Sequence, residues 1–124
     1  MALPNYEKNY NEIKEMITYS TEETKIGTWI NGKTIYRKVV TASINSGLNT
    51  VSINVDFDDI WIDLGKSFIK NSTRITSLAR ADYRSENYSV GAVIDIPGKQ
   101  FYVITGTDSS LVGTAYITIE YTKN

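Results

Sequence analysis

The chain has 124 residues, a formal net charge of −1 and no cysteine, which suits one domain with its own core and excludes disulfides and thiolate metal sites. Histidine is absent as well, which removes the usual general base near neutral pH and the commonest metal ligand, so no cofactor and no metal are expected. The near-zero charge gives no field toward nucleic acid or an anionic membrane, and no apolar run approaches the roughly 18 residues of a spanning helix.

Residues 1–18 read as a separate N-terminal segment. Leu3, Tyr6, Tyr10, Ile13 and Ile17 recur at steps of three and four, with charged and polar residues between them, so a short amphipathic helix is expected over Tyr6 to Ile17. Pro4 and Asn5 suit its entry. Its apolar stripe fits either the protein's own sheet or the last turns of a coiled-coil stem. No apolar segment of signal-peptide type occurs at the start.

Residues 19–124 read as a β head domain. Asn31-Gly32 lies between runs rich in Ile, Val, Thr, Trp and Tyr, the strongest short-range hairpin signal. A two-residue loop would set Trp29 opposite Thr34 and Thr28 opposite Ile35. One face would then carry Ile26, Ile30, Ile35 and Val39, and the other Trp29, Tyr36 and Val40. A ribbon apolar on both faces needs two covers, one from its own domain and one from a second layer or subunit.

Beyond the hairpin, Asn45 to Asn49 reads as a loop, and Val51, Ile53, Val55 and Phe57 alternate with polar residues as a half-buried strand. The alternation resumes at Ile60, Ile62 and Leu64, where Trp61 falls on the opposite face. Residues 74–84 separate into the rows Ile75, Ser77, Ala79, Ala81, Tyr83 and Arg74, Thr76, Leu78, Arg80, Asp82, Arg84. Val90, Ala92, Ile94 and Ile96 form another inward row, and Pro97-Gly98 is a turn. In the last strand Ala115, Ile117, Ile119 and Tyr121 point inward, and Thr114, Tyr116, Thr118 and Glu120 outward. About eight short strands at regular spacing predict an all-β fold, an antiparallel β-sandwich or jelly roll.

Candidate chemistry is sparse. Asp56, Asp58, Asp59 and Asp63 are oxygen ligands in type, but their spacing is not that of a calcium loop, and a solvated acidic turn is the plainer expectation. Asp59, Asp63 or Glu120 would have to supply a carboxylate pair for glycoside hydrolysis, and no spacing picks one out. For ligand binding the candidates are Trp61, Arg80, Tyr83, Arg84 and Tyr88, aromatic and cationic side chains suited to a glycan or an anionic group. For an oligomer interface they are Tyr6, Tyr10, Ile13, Ile17, Trp29 and Tyr36, though core positions serve Trp29 and Tyr36 equally well.

Several stretches are similar to a known domain. Tyr19-Ser-Thr-Glu-Glu23, Ile26-Gly-Thr-Trp-Ile-Asn-Gly-Lys33 and Ile35-Tyr-Arg-Lys-Val-Val40 resemble the opening of a C-terminal domain of tail-fibre and related appendage proteins of tailed bacteriophages and prophages of Gram-positive hosts. Ala115-Tyr-Ile-Thr-Ile-Glu-Tyr-Thr-Lys123 resembles its final strand. The likeness covers most of residues 19–123 and is loose from Ser67 to Thr107. It implies a structural virion protein without catalytic residues, assembled in the bacterial cytoplasm as a homo-oligomer, a homotrimer, beside other virion proteins. Host cell-wall polysaccharide or teichoic acid is the ligand it suggests. A purely structural accessory capsid or tail subunit and a glycan depolymerase are the alternatives.

Overall fold

The computed structural model describes residues 20–80 and 86–123. The expected helix, with Tyr6, Tyr10, Ile13 and Ile17, lies outside the described residues, as do Tyr83 and Arg84. The described chain forms strands β1 (Thr24–Thr28), β2 (Thr34–Ile44), β3 (Gly47–Ser52), β4 (Ile60–Ile62), β5 (Phe68–Lys70), β6 (Ile75–Ser77), β7 (Val90–Asp95), β8 (Gln100–Thr105) and β9 (Gly113–Thr122). All pairings are antiparallel. The larger sheet runs β1-β2-β9-β5-β6, with β4 also against β9, and the smaller runs β3-β8-β7.

The fold is all-β, and one apolar core lies between the sheets. Its larger-sheet side is the inward row of β9, Ala115, Ile117, Ile119 and Tyr121, all fully buried, together with Ile44 and Ile69. Phe101, Val103 and Val90 supply the smaller-sheet side, and Ile53, Leu78 and Leu111 close the margins from the connections. The alternation of β9 is what makes this possible, because every second side chain of a strand leaves on the same face. In β7 the inward row stops at Ile94; Ile96 is 58% exposed because the chain turns at Ile96–Lys99 before it reaches the core. Of the two rows in 74–80, Thr76 and Leu78 go in and Ile75 faces solvent.

The hairpin departs from the expected geometry. Gly32 N–H donates to Trp29 C=O at 2.9 Å, Trp29 N–H donates to Lys33 C=O at 2.8 Å, and Gly32 has φ +86°. This is a three-residue loop, a turn followed by a left-handed glycine. Thr28 therefore pairs with Thr34 and Gly27 with Ile35, one residue off the two-residue register. A one-residue slip moves side chains to the other face. Trp29 consequently shares a face with Lys33, Ile35 and Arg37, while Tyr36 turns inward and stacks on Tyr121 with ring centroids 5.9 Å apart. A second shift follows between Lys25 and Gly27, leaving Ile26 in a bulge.

Two further differences matter for the outer face of the larger sheet. The half-buried strand expected from Val51 to Phe57 ends at Ser52; the burial alternation continues to Phe57 without sheet pairing. Strands β4 and β5 lie end to end along β9, and the register from Ile62↔Ile119 to Phe68↔Tyr116 leaves residues 63–67 opposite 117–118. That excursion is tied down at Thr118: its C=O accepts from Asp63 N–H at 2.9 Å, and its N–H donates to Ser67 Oγ at 2.9 Å. It carries Asp63 and Lys66 onto the outer face.

Candidate functional site

The outer face of the larger sheet gathers the aromatic and charged side chains. Strand register does the gathering: Arg37 of β2 lies opposite Glu120 of β9, and Glu120 lies opposite Trp61 of β4. Residues directly opposite on antiparallel strands point to the same side, with Cβ atoms about 5 Å apart. Trp61 Nε1–H donates to Glu120 Oε1 at 3.0 Å, and Arg37 Nε–H donates to Glu120 Oε2 at 3.0 Å. Arg37 is also 4.0 Å from the Asp63 carboxylate, and Lys66 is 3.9 Å from it. Arg37 and Glu120 keep only 12% and 15% of their side-chain exposure, so the pair forms the floor of the site.

Trp29 reaches this row from the hairpin. Its ring centroid is 4.6 Å from that of Trp61, the planes tilted by 34°. Both indoles are half-buried. Such a pair contributes about 0.5–1.5 kcal/mol beyond the area it buries. Lys33, opposite Trp29 at the loop, is ion-paired with Asp58. The result is a two-indole platform standing on an Arg–Glu floor, with matched charges around it. Among the described residues no group of three or more acidic side chains is placed to hold a metal ion.

The candidates from sequence separate into two groups. Trp61 sits in this platform. Arg80 and Tyr88 meet each other, the guanidinium 5.7 Å from the ring centroid, beside the loop that precedes β9. There Asp108 is held below the usual carboxylate range, first by the Ser110 side chain and backbone, then by Tyr88 and Arg74. Arg74 also donates to Ser110 Oγ at 3.0 Å. The two groups lie at opposite ends of β9, six residues from Glu120 to Thr114 or about 20 Å. One ligand site does not include both.

Of the interface candidates among the described residues, Trp29 and Tyr36 each have an aromatic partner within the chain, Trp61 and Tyr121. Each face of the hairpin therefore has one aromatic contact within the chain, and Trp29 stays half-buried. Arg37 was the member missed from sequence, and Glu120 was named there only as a possible hydrolytic carboxylate, because their contact joins positions 83 residues apart. A second aromatic pair, Phe68 and Tyr116 with centroids 5.1 Å apart, lies farther along the same face beyond the excursion at 63–67.

A third cluster fastens the start of the described chain. Glu23 accepts from the Tyr121 hydroxyl and, at 2.7 Å, from Lys123 Nζ. The Lys123 bond, then the Tyr121 bond, hold the Glu23 carboxyl below its ordinary range. Burial and the neighbouring Glu23 push the Tyr121 phenol well above its own. Lys123 also lies 4.5 Å from the centre of the Tyr36 ring.

Compared with protein-family models, with curated proteins and with solved structures, the chain finds no match in any of the three.

Proposed function

We propose that this chain is the head domain of a tailed-bacteriophage virion appendage, a homotrimer of jelly-roll type that binds a glycan on the surface of a Gram-positive host. The family expectation comes from residues 19–40 and 115–123. The observation that carries the binding role is the Trp29–Trp61 platform, oriented by the indole bond to Glu120 and half-exposed on the outer sheet face. Aromatic faces stack on the C–H faces of sugar rings while nearby carboxylates and cations exchange hydrogen bonds with hydroxyls. Repetition of the site around an oligomer raises avidity by orders of magnitude where single-site affinity is weak.

The role is one of binding and not of catalysis. Two of the three candidate carboxylates are already engaged, which leaves no second one to pair with Asp59: Asp63 faces Arg37 and Lys66, and Glu120 serves Trp61 and Arg37. A depolymerase would need a carboxyl free to give a proton to the leaving oxygen.

The test is co-sedimentation of the purified chain with Gram-positive cell walls. Trp61→Ala and Trp29→Ala are expected to lower wall binding by at least about tenfold, the loss of roughly 1.4 kcal/mol of stacking, with circular dichroism unchanged. Equal binding by wild type and both variants would refute the role.

The accessory-subunit alternative, with assembly and no ligand, has one observation in its favour. The outer face of the smaller sheet exposes Leu48 (65%), Val93 (51%) and Ile104 (46%). An apolar patch of this kind suits contact with another protein surface. Wall binding by the intact chain separates the two roles.

A further inference from the structure

We propose that the Trp29–Trp61 platform takes an uncharged polysaccharide built of neutral hexopyranoses, and not the phosphate backbone of a teichoic acid; the inference rests on the glycan-binding role above and names its ligand class. The charges around the platform decide it. Lys33 is paired with Asp58, Arg37 with Glu120 and Asp63, and Lys66 with Asp63. Every one of these cations already faces a carboxylate. A phosphodiester chain laid here would have to displace Asp58, Asp63 or Glu120 from its cation, and would meet their negative charge at short range. A neutral sugar has no such conflict. Its apolar C–H face rests on an indole, and its hydroxyls donate to the Asp63 and Glu120 oxygens or accept from Arg37 and Lys66 without breaking an ion pair. The buried Arg37–Glu120 floor also keeps the recognition groups in place before the ligand arrives, which lowers the cost of binding. The more cationic end of the sheet, at Arg74 and Arg80, is not a substitute. It lies about 20 Å away along β9, and Arg74 is bonded to Ser110 while Arg80 covers Tyr88.

The chain's two tryptophans are both in the platform, so tryptophan emission of the unaltered protein reports on this site alone. The experiment titrates the wild-type chain with maltohexaose, cellohexaose, mannohexaose and galactohexaose, and in parallel with poly(glycerol phosphate), at about 0.05 and 0.5 M salt, a range over which screened charge contacts collapse. The expected result is a saturable emission change with at least one neutral hexasaccharide, its Kd moving less than about twofold between the two salts. Lys70→Ala, exposed and opposite Thr114 at the far end of β9, should leave that Kd within about threefold. An emission change with poly(glycerol phosphate) alone, weakening more than about tenfold at high salt, would overturn the ligand class and leave the glycan-binding role standing. Wall co-sedimentation with no emission change for any neutral probe would also overturn it. Failure to bind walls at all would remove the underlying role.

Discussion

Replacement of Glu120 tests how the platform is held. Glu120→Ala removes the acceptor of the Trp61 indole bond and the carboxylate facing Arg37. Arg37, with 12% of its side chain exposed, then keeps among the described residues Asp63 at 4.0 Å. A hydrogen bond to a charged acceptor contributes about 1.5–3 kcal/mol when buried, and partial exposure of this pair lowers that to about 1 kcal/mol. Stranding most of a guanidinium adds about 1–2 kcal/mol, below the full penalty for a dry site. The expected loss is therefore about 2–3 kcal/mol, a fall in Tm of roughly 10 °C for a domain of this size. Glu120→Gln keeps an oxygen for the indole and loses only the charge, so about 1 kcal/mol is expected. Urea denaturation followed by circular dichroism gives the energies, and tryptophan emission shifts to longer wavelength in Glu120→Ala but not in Glu120→Gln. The reasoning is refuted if Glu120→Ala loses less than about 0.5 kcal/mol and leaves the emission unchanged.

Other outcomes follow from single positions. Gly32 has φ +86° with open space where a Cβ would stand, so the cost of substitution is purely conformational: Gly32→Val is expected to lose more than about 1 kcal/mol and Gly32→Asn much less, read by urea denaturation. Gly113 is limited by space instead, since a Cβ would stand 2.4 Å from the Lys70 carbonyl oxygen; Gly113→Ala is expected to lose about 2 kcal/mol by the same measurement. The Glu23 carboxyl is held below its ordinary pKa by Lys123 and Tyr121, so the folded state binds fewer protons there than the unfolded state. Its contribution is present in full above the unfolded pKa and is lost as pH falls through the lower folded value, and a Glu23→Gln variant should show a shallower stability loss on acidification below about pH 5. The raised Tyr121 phenol acts with the opposite sign: its contribution is present below the unfolded value near 10 and declines as pH rises past about 10, which Tyr121→Phe should blunt in an alkaline denaturation series.

What the sequence made readable was periodicity. The two rows of β9 come directly from its alternation, and Trp61 was placed opposite its strand's apolar row by the same rule. The loop length at Asn31-Gly32 was not readable, because Ile30 fits a strand as well as a loop tip; in the structure it is 92% exposed. That one residue decided the face of Trp29, and with it the ring it meets within the chain, Trp61. The Arg37–Glu120–Trp61 row depends on which strands flank β9, and alternation within a strand carries no information about its neighbours. Likewise the excursion at 63–67, which brings Asp63 and Lys66 to the platform, looks in sequence like the end of a strand, since Gly65-Lys66 is an ordinary stop signal.

The central claim is that the two indoles form a ligand surface anchored by Glu120. The indole N–H region of a two-dimensional nitrogen–proton NMR spectrum addresses it directly, because the chain has two tryptophans and hence two indole signals. On adding the hexasaccharide that changes the emission, both signals should move together and saturate, with backbone amides of Arg37 and Glu120 moving and those of Arg80 and Tyr88 still. Indole signals that stay fixed while amides elsewhere shift would place the ligand on another surface and contradict the claim.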